Sequence, residues 1–507
     1  MKFSNKVLSN VLDILALIVT CTFSVQAQNW TQLGNDIDGE APYDNSGYSV
    51  SLNASGDFVA IGAIYNTGNG TSAGHVRVYE LDGSTWIQRG SDIDGEAAGD
   101  YSGCSVSLTS IGDIVAIGAY YNSDSFPAAG HVRVYEWDGS TWIQRGSDID
   151  GEASHDRSGY SVDLNSIGDI IAIGAPDNAL NGLHAGHVRV YEWDGSTWIK
   201  RGSDIDGEAA EDESGNSVSL NSAGDIVAIG AYRNDGNGTD AGHVRVYEWD
   251  GSTWIQRGSD IDGEAAGDWS GYCVSLNSIG DIIAIGAPDN DGNGNEAGHV
   301  RVYEWDGSTW IQRGSDIDGE AAVDLSGMSV SLNNNGNVVA IGAYLNDGDS
   351  TAAAGHVRVY EWDGSTWNQR GFDIDGESKG DLSGHSVDLD STGDFVAIGA
   401  IANDGNGDNA GHVRVYTIEY INTGILDYGP KLFSVYPNPT NSMLNIELSG
   451  ISDQYIIDIT YINGQLILSK EIVGPSHQFD LSSFQKGIYF ITIRSNGFVE
   501  TGKIIVL

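Results

Sequence analysis

Clusters of carboxylates recur through most of this chain. Asp-Ile-Asp-Gly-Glu appears seven times, first at 36–40 and last at 373–377, and another Asp follows four residues on, as at Asp100, Asp156 and Asp268. Three acids in five residues, with a glycine among them, make the oxygen-rich kind of loop that Ca²⁺ takes with six to eight ligands. The calcium candidates are Asp92, Asp94, Glu96 and Asp100, then Asp148, Asp150 and Glu152, then Asp260, Asp262, Glu264 and Asp268. The spacing is not that of an EF-hand, and no closing bidentate Glu stands at the matching distance. A second reading makes these acids partners of an arginine in the equally repeated Gly-His-Val-Arg-Val-Tyr, at Arg77, Arg133, Arg189, Arg245, Arg301, Arg358 and Arg414. A half-buried guanidinium wants a carboxylate fork, and one such pair per repeat would be structural.

A reactive centre needs different residues converging on one point, so chemistry is sought where the repetition breaks. His155, Asp156 and Arg157 enter the third repeat together, and His184 lies in a later loop of the same repeat. Two imidazoles and a carboxylate would hold a transition metal or move protons; drift among repeats explains them equally simply. Trp269, Lys379 and His385 are lesser singletons. The histidines at 75, 131, 187, 243, 299, 356 and 412 occupy one position in every copy. They are spread around the array and read as structural hydrogen-bonding groups. His-Glu-x-x-His and phosphate-loop motifs do not occur.

The elements that position these residues repeat every 56 or 57 positions, as the tryptophans at 30, 86, 142, 198, 254, 310 and 367 show. Each repeat holds four short β-branched or aromatic runs bounded by Gly, Asn, Asp or Ser, such as 217–220, 225–231, 243–249 and 253–257. Asp-Gly-Ser joins the third to the fourth, a hairpin signal. Four antiparallel strands repeated in this way predict an all-β, seven-bladed β-propeller. The seventh repeat lacks its Trp-containing fourth strand, and that sequence stands instead at residues 30–33. Pairing the two ends closes the ring and removes the exposed sheet edges. The longer loops then share one face of the disc, with the acids concentrated there. The paired tryptophans pack the outer hairpin, and the Asn before each long loop (Asn66, Asn234 and their equivalents) fixes its turn.

The ends differ in kind from the middle. Lys2 and Lys6 precede an apolar run from 14 to 23, and Val25-Gln26-Ala27 supplies small residues for cleavage, so 1–27 reads as a signal peptide, too short to span a membrane. No later segment reads as a transmembrane span. Only Cys104 and Cys273 follow it, three repeats apart, which excludes a disulfide framework. Residues 1–27 carry +1 and residues 430–507 carry −1, so the net −47 falls on the repeats and their short linker. Such a field repels nucleic acid and anionic membranes and draws cations; it also keeps an exported protein soluble.

Two family resemblances follow. At 270–276 (Ser-Gly-Tyr-Cys-Val-Ser-Leu) and 283–288 (Ile-Ala-Ile-Gly-Ala-Pro) the repeat resembles the FG-GAP type, which builds the seven-bladed heads of integrin α chains; the likeness covers 30–416. That family's calcium loop lies between the first and second strands. Here the link is only Asn-Ser-x-Gly-Asp, too short for the ligand set, so the family's cation site is not carried over. The tail carries Val435-Tyr436-Pro437-Asn438-Pro439-Thr440, Ile462-Asn463-Gly464-Gln465, Lys486-Gly487-Ile488-Tyr489-Phe490 and a terminal Lys503-Ile504-Ile505-Val506-Leu507. It resembles the C-terminal sorting domain of the type IX secretion system of Bacteroidetes, a small β-sandwich. The expected organisation is signal peptide 1–27, propeller 28–416, linker 417–430 and sorting domain 431–507. The expected role is a secreted or surface-displayed, non-catalytic propeller that binds an extracellular protein or glycan with calcium as an aid. Nucleic acid is not an expected partner; the secretion machinery is one, through the tail. The alternative is an extracellular propeller enzyme acting on a polysaccharide or another polymer.

Overall fold

The computed structural model describes residues 27–347, 353–421, 433–440, 442–448, 454–461, 466–474, 476–495 and 498–506. The segment read as a signal peptide lies outside them, apart from Ala27. Among the described residues the chain is all strand and turn, divided into two compact units at Ile421.

The first unit contains seven antiparallel sheets, each with four strands in the expected order. In the fourth repeat these are Ser217–Leu220, Ile226–Ala231, His243–Trp249 and Trp254–Gln256. The second strand is buried along its whole length because neighbouring sheets cover both of its faces, which is why it reads as an unbroken apolar run instead of alternating. A fifth strand of two residues, Ile261–Asp262, pairs back onto the histidine end of the third strand. It comes from the acidic link, where Ile261 is buried and Asp262 is exposed. Two residues are too few for a periodicity signal, so the link reads in sequence as a plain loop.

Sheets pack face to face through aliphatic clusters. Ile170, Val188 and Val190 of the third repeat meet Val218, Leu220, Val227 and Ile229 of the fourth. Each such side chain contributes about 1.5–3 kcal/mol on full burial. One cluster joins Val413 and Val415 of the seventh repeat to Val50, Val59 and Ile61 of the first. The approach is close enough to require glycine at one second-strand position. A Cβ on Gly230 would stand 1.9 Å from the carbonyl oxygen of Gly271 in the next repeat.

The two ends of the array are tied together by strand pairing and by hydrogen bonds. Ala27–Gln32 pairs antiparallel with His412–Ile421 as the fourth strand of the seventh sheet. That last strand therefore runs five residues past the expected boundary at 416. Trp30 Nε1 donates to the carbonyl of Arg370 at 2.7 Å, as Trp254 Nε1 does to Arg201 at 2.8 Å. At the first-to-second hairpins a backbone bond runs from each repeat to the next: Ala54 to Ser110, Ser110 to Ser166, Ser166 to Ser222, Ser222 to Ser278, Ser278 to Asn334, Asn334 to Ser391, and Ser391 back to Ala54. The arrangement is consistent with a propeller.

The second unit contains a three-stranded and a four-stranded antiparallel sheet. Leu444, Ile446, Tyr455, Ile457, Ile459, Tyr489, Ile491, Ile493 and Ile504 form their common core.

Candidate functional site

The repeated acids do not gather within one loop. Asp92 turns toward His75 of the first repeat, whereas Glu96 turns toward His131 of the second. Asp94 sits in the two-residue strand Ile93–Asp94, and its carbonyl accepts Arg133 Nη2 at 2.7 Å. Asp100 is buried and accepts from Ala97 N at 2.9 Å and Asn122 Nδ2 at 3.2 Å. The later loops behave alike. Asp148 groups with Glu96 and His131, Glu152 with His187 and Asp204, and Asp260 with Glu208 and His243. Asp150 and Asp262 occupy the equivalent two-residue strands, Glu264 lies 3.8 Å from Arg301 Nη1, and Asp268 accepts from Ala265 N and Asn290 Nδ2. What forms instead is a Glu–His–Asp cluster at each seam, assembled from two successive links and one third strand.

The third-strand arginine is held mainly by other partners. Arg77 donates to Tyr79 Oη at 2.6 Å and to the carbonyl of Asp38 at 2.8 Å, while Glu40 Oε1 stands 3.9 Å away. The repeated histidine makes none of the structural hydrogen bonds expected of it. Both ring nitrogens of His75, His131, His187 and His412 are buried without a hydrogen-bond partner. Burial, then the neighbouring guanidinium, pushes the imidazoles at 75, 131, 187, 243, 299, 356 and 412 down to about 4. They are neutral at physiological pH. The Asn and Trp expectations hold: Asn66 Oδ1 accepts Gly68 N at 2.8 Å, and Trp249 and Trp254 pack 5.3 Å apart.

The repetition breaks in the third to fifth repeats, beside the long loops. Arg157 Nε bonds Asp177 Oδ2 at 2.8 Å, and His184 Nδ1 lies 3.1 Å from Asp177 Oδ1. Two of the four predicted residues therefore meet, through an aspartate the sequence reading missed. Asp156 is buried and accepts from Ala153 N, in the turn-fixing role of Asp100 and Asp268. His155 is exposed and left-handed (φ 67°), and its backbone N–H donates to Pro127. The Arg157 guanidinium also lies 5.2 Å from the Tyr121 ring. From there an aromatic arc continues through Tyr101 to Tyr65 on one side. On the other side, Glu213 N donates to the carbonyl of His184 at 2.9 Å. Glu213 accepts Tyr232 Oη at 2.9 Å and lies 3.4 Å from Arg233. Tyr232 packs edge-on to both Trp269 and Tyr272. His385 packs 4.9 Å from Tyr48. Lys379 makes no contact of this kind.

The hairpin end of the first strands surrounds a cavity of about 200 Å³, lined from all seven repeats. Serine at its lining position becomes aspartate at Asp163 and Asp388. Asp163 accepts Leu220 N at 2.7 Å and Ser107 Oγ at 2.9 Å. Asp388 accepts Leu52 N at 2.7 Å, across from the seventh repeat to the first. Burial pushes both carboxyls up to about 6. Alignment of Ser-Val-Ser-Leu against Ser-Val-Asp-Leu would have singled them out.

The β-sandwich of the second unit carries the tail motifs at 435–440, 486–490 and 503–506, and the one at 462–465 lies outside the described residues. Residues 434–507 match the Secretion system C-terminal sorting domain. The chain is thus a type IX secretion substrate, delivered to the cell surface or released. The sorting domain is its point of engagement with that machinery, and among the described residues no helix is long and apolar enough to cross a membrane. No curated protein matches the chain in sequence. Among solved structures it is similar to a Bacteroides uniformis ATCC 8492 protein assigned as a 6-phosphogluconolactonase, with a TM-score of 0.49 and 9% identity over 83% of this chain and 99% of that one. It is also similar to a fungal alcohol oxidase of the AA5 family in complex with copper, with a TM-score of 0.45 and 11% identity over 94% of this chain and 99% of that one. Scores this low carry no argument about what the chain binds.

Proposed function

We propose that this is an exported binding protein: a closed seven-bladed propeller of the FG-GAP type that holds an extracellular glycan or protein without acting on it chemically. The hydrogen bonds returning from Ser391 to Ala54 and from Leu52 to Asp388 support closure. The observation that carries the binding reading is the aromatic and charged arc from Tyr65 to Tyr272, in a molecule whose repeats are otherwise nearly identical. Aromatic faces beside paired Arg, Asp, Glu and His groups suit sugar rings, which present C–H faces and hydroxyl edges. Calcium is not required by this reading, because each acidic link divides its carboxylates among separate places.

A second reading rests on the Asp177–His184 pair, which has the geometry of an oriented general base. It would make the protein an enzyme acting on a polysaccharide. The test is an array of glycans and extracellular proteins probed with the full chain, with Arg157→Ala/Trp269→Ala, and with His184→Ala. Binding that the double variant loses, with no product released from the bound polymer, supports the binding protein. Product release that His184→Ala abolishes supports the enzyme and overturns it.

A further inference from the structure

The seam clusters have a feature that neither the fold nor the binding arc uses. In the first repeat, Asp92 Oδ1 accepts Gln88 Nε2 at 2.7 Å, which leaves Oδ2 facing His75 Nδ1 at 3.9 Å. Glu40 turns Oε1 to Arg77 and leaves Oε2 facing the same Nδ1, also at 3.9 Å. His75 is 1% exposed, and its Nδ1 has no hydrogen-bond partner. Two carboxylate oxygens and an imidazole nitrogen thus converge on one point, and each acid's other oxygen faces a partner that fixes it. The pattern recurs with Glu96, His131 and Asp148, where His131 Nδ1 lies 3.8 Å from Glu96 Oε2, and with Glu377, His412 and Asp36.

One copy shows what the cluster attracts. The third repeat has Lys200 where the other six have glutamine. The Lys200 ammonium pairs with Asp204 and lies 3.6 Å from Glu152 Oε1, so it bridges the two carboxylates of that cluster. At this seam a lysine ammonium stands between both acids; at the other six a glutamine holds its position, and the third-strand guanidinium reaches the glutamate alone.

We propose that the Glu–His–Asp seams are sites for divalent transition-metal ions of the Zn²⁺ class, six to the chain, with the charge of Lys200, which sits in the glutamine's place on Asp204 Oδ1, keeping the ion out of the third. The imidazole sets the class: Ca²⁺ takes oxygen ligands, whereas nitrogen suits Zn²⁺ and its neighbours. A tetrahedral ion with bonds of about 2.0–2.1 Å holds its ligands about 3.4 Å apart. The carboxylates, now 3.8–3.9 Å from the imidazole nitrogen, therefore approach it by about half an ångström, and water fills the fourth position. Each ion would join two successive links to the strand between them, pinning one repeat to the next.

The test is equilibrium dialysis of the full chain against Zn²⁺ with metal analysis, for the wild type, Lys200→Gln and Gln88→Lys. Both substitutions lie at partly exposed positions and exchange residues that the repeats themselves use there. Thermal unfolding checks that each variant is folded. The expected counts are six, seven and five ions per chain, and equimolar Ca²⁺ does not displace them. Equal counts in the three proteins, fewer than one ion per chain, or displacement by equimolar Ca²⁺ would overturn the proposal.

Discussion

The seams between repeats and the arc at 65–272 are built from the same loops and strands, yet they obey opposite rules. At the seams, the same residue types recur at each copy: the glycine against the next carbonyl, the tryptophan bonded one repeat back, the histidine between two acids. At the arc, Arg157, His184, Glu213 and Trp269 stand at positions where no other repeat has the same residue, and Tyr121 and Asp177 at a position shared only with Tyr65 and Asp289 respectively. Identity is what joining seven units demands, since one misfitting seam opens the ring. Difference is what recognition demands, since a ligand without sevenfold symmetry cannot contact seven equal surfaces at once. The third repeat belongs to both regions, through Arg157 and His184 on one side and Lys200 on the other.

Acid should separate the two regions most strongly. The repeat histidines are held at about 4, below their unfolded value near 6.5. Between those values the unfolded chain binds more protons, so stability is lost as pH falls from about 6.5 toward 4. Each buried imidazole accounts for of order 1–3 kcal/mol, and the loss accumulates over seven copies. Asp163 and Asp388 work the other way. Their folded value of about 6 lies above the unfolded 3.9 or so, and they favour the folded state as pH falls through 6. Asp289, also pushed up to about 6, and link acids such as Asp94 and Glu96, raised by burial, act in the same direction, and the seven more deeply buried imidazoles outweigh them. Thermal unfolding midpoints from pH 7.5 to 4.5 should fall steadily, and a flat profile would remove the histidines from the account of stability.

A single seam should be nearly as sensitive. Gly230→Ala places a methyl 1.9 Å from the Gly271 carbonyl, and backbone has to move to admit it. The expected cost is at least about 3 kcal/mol in denaturant unfolding. The arc should behave differently. Trp269→Ala is expected to cost under about 1 kcal/mol, because the ring is partly exposed, while reducing ligand binding at least tenfold. The smallest effect is expected at the axis. Asp163→Ser restores the residue of the other repeats and removes a carboxylate whose charge is disfavoured by burial. Stability at pH 8 should rise by about 1 kcal/mol, and the gain should vanish below pH 4.

Much of this was legible before any coordinates. The period and the runs of Val, Ile and Tyr located the four strands of each repeat, and Trp30 pointed to the pairing with the seventh. The strand Ile261–Asp262 was not legible, because two residues carry no periodicity. Its consequence was missed with it: pairing that strand to His243 sends the acids on either side of it to different seams. Asp177 escaped notice because it follows a proline in an ordinary turn sequence, and only the fold brings it between Arg157 and His184. Glu213 lies a repeat away from His184 and is joined to it by a backbone bond that no spacing rule foresees. Lys200 looked like one more polar residue on an edge strand until the seam gave it two carboxylates.

The central claim is that recognition lies where the repeats diverge. The most direct measurement compares the full chain with Arg157→Ala/Trp269→Ala on one array of glycans and extracellular proteins. The account predicts that the wild type marks a defined set of ligands and that the double variant, still folded by its cooperative thermal transition, loses that set by at least tenfold. Equal binding by both proteins would contradict it and move the binding surface away from the arc.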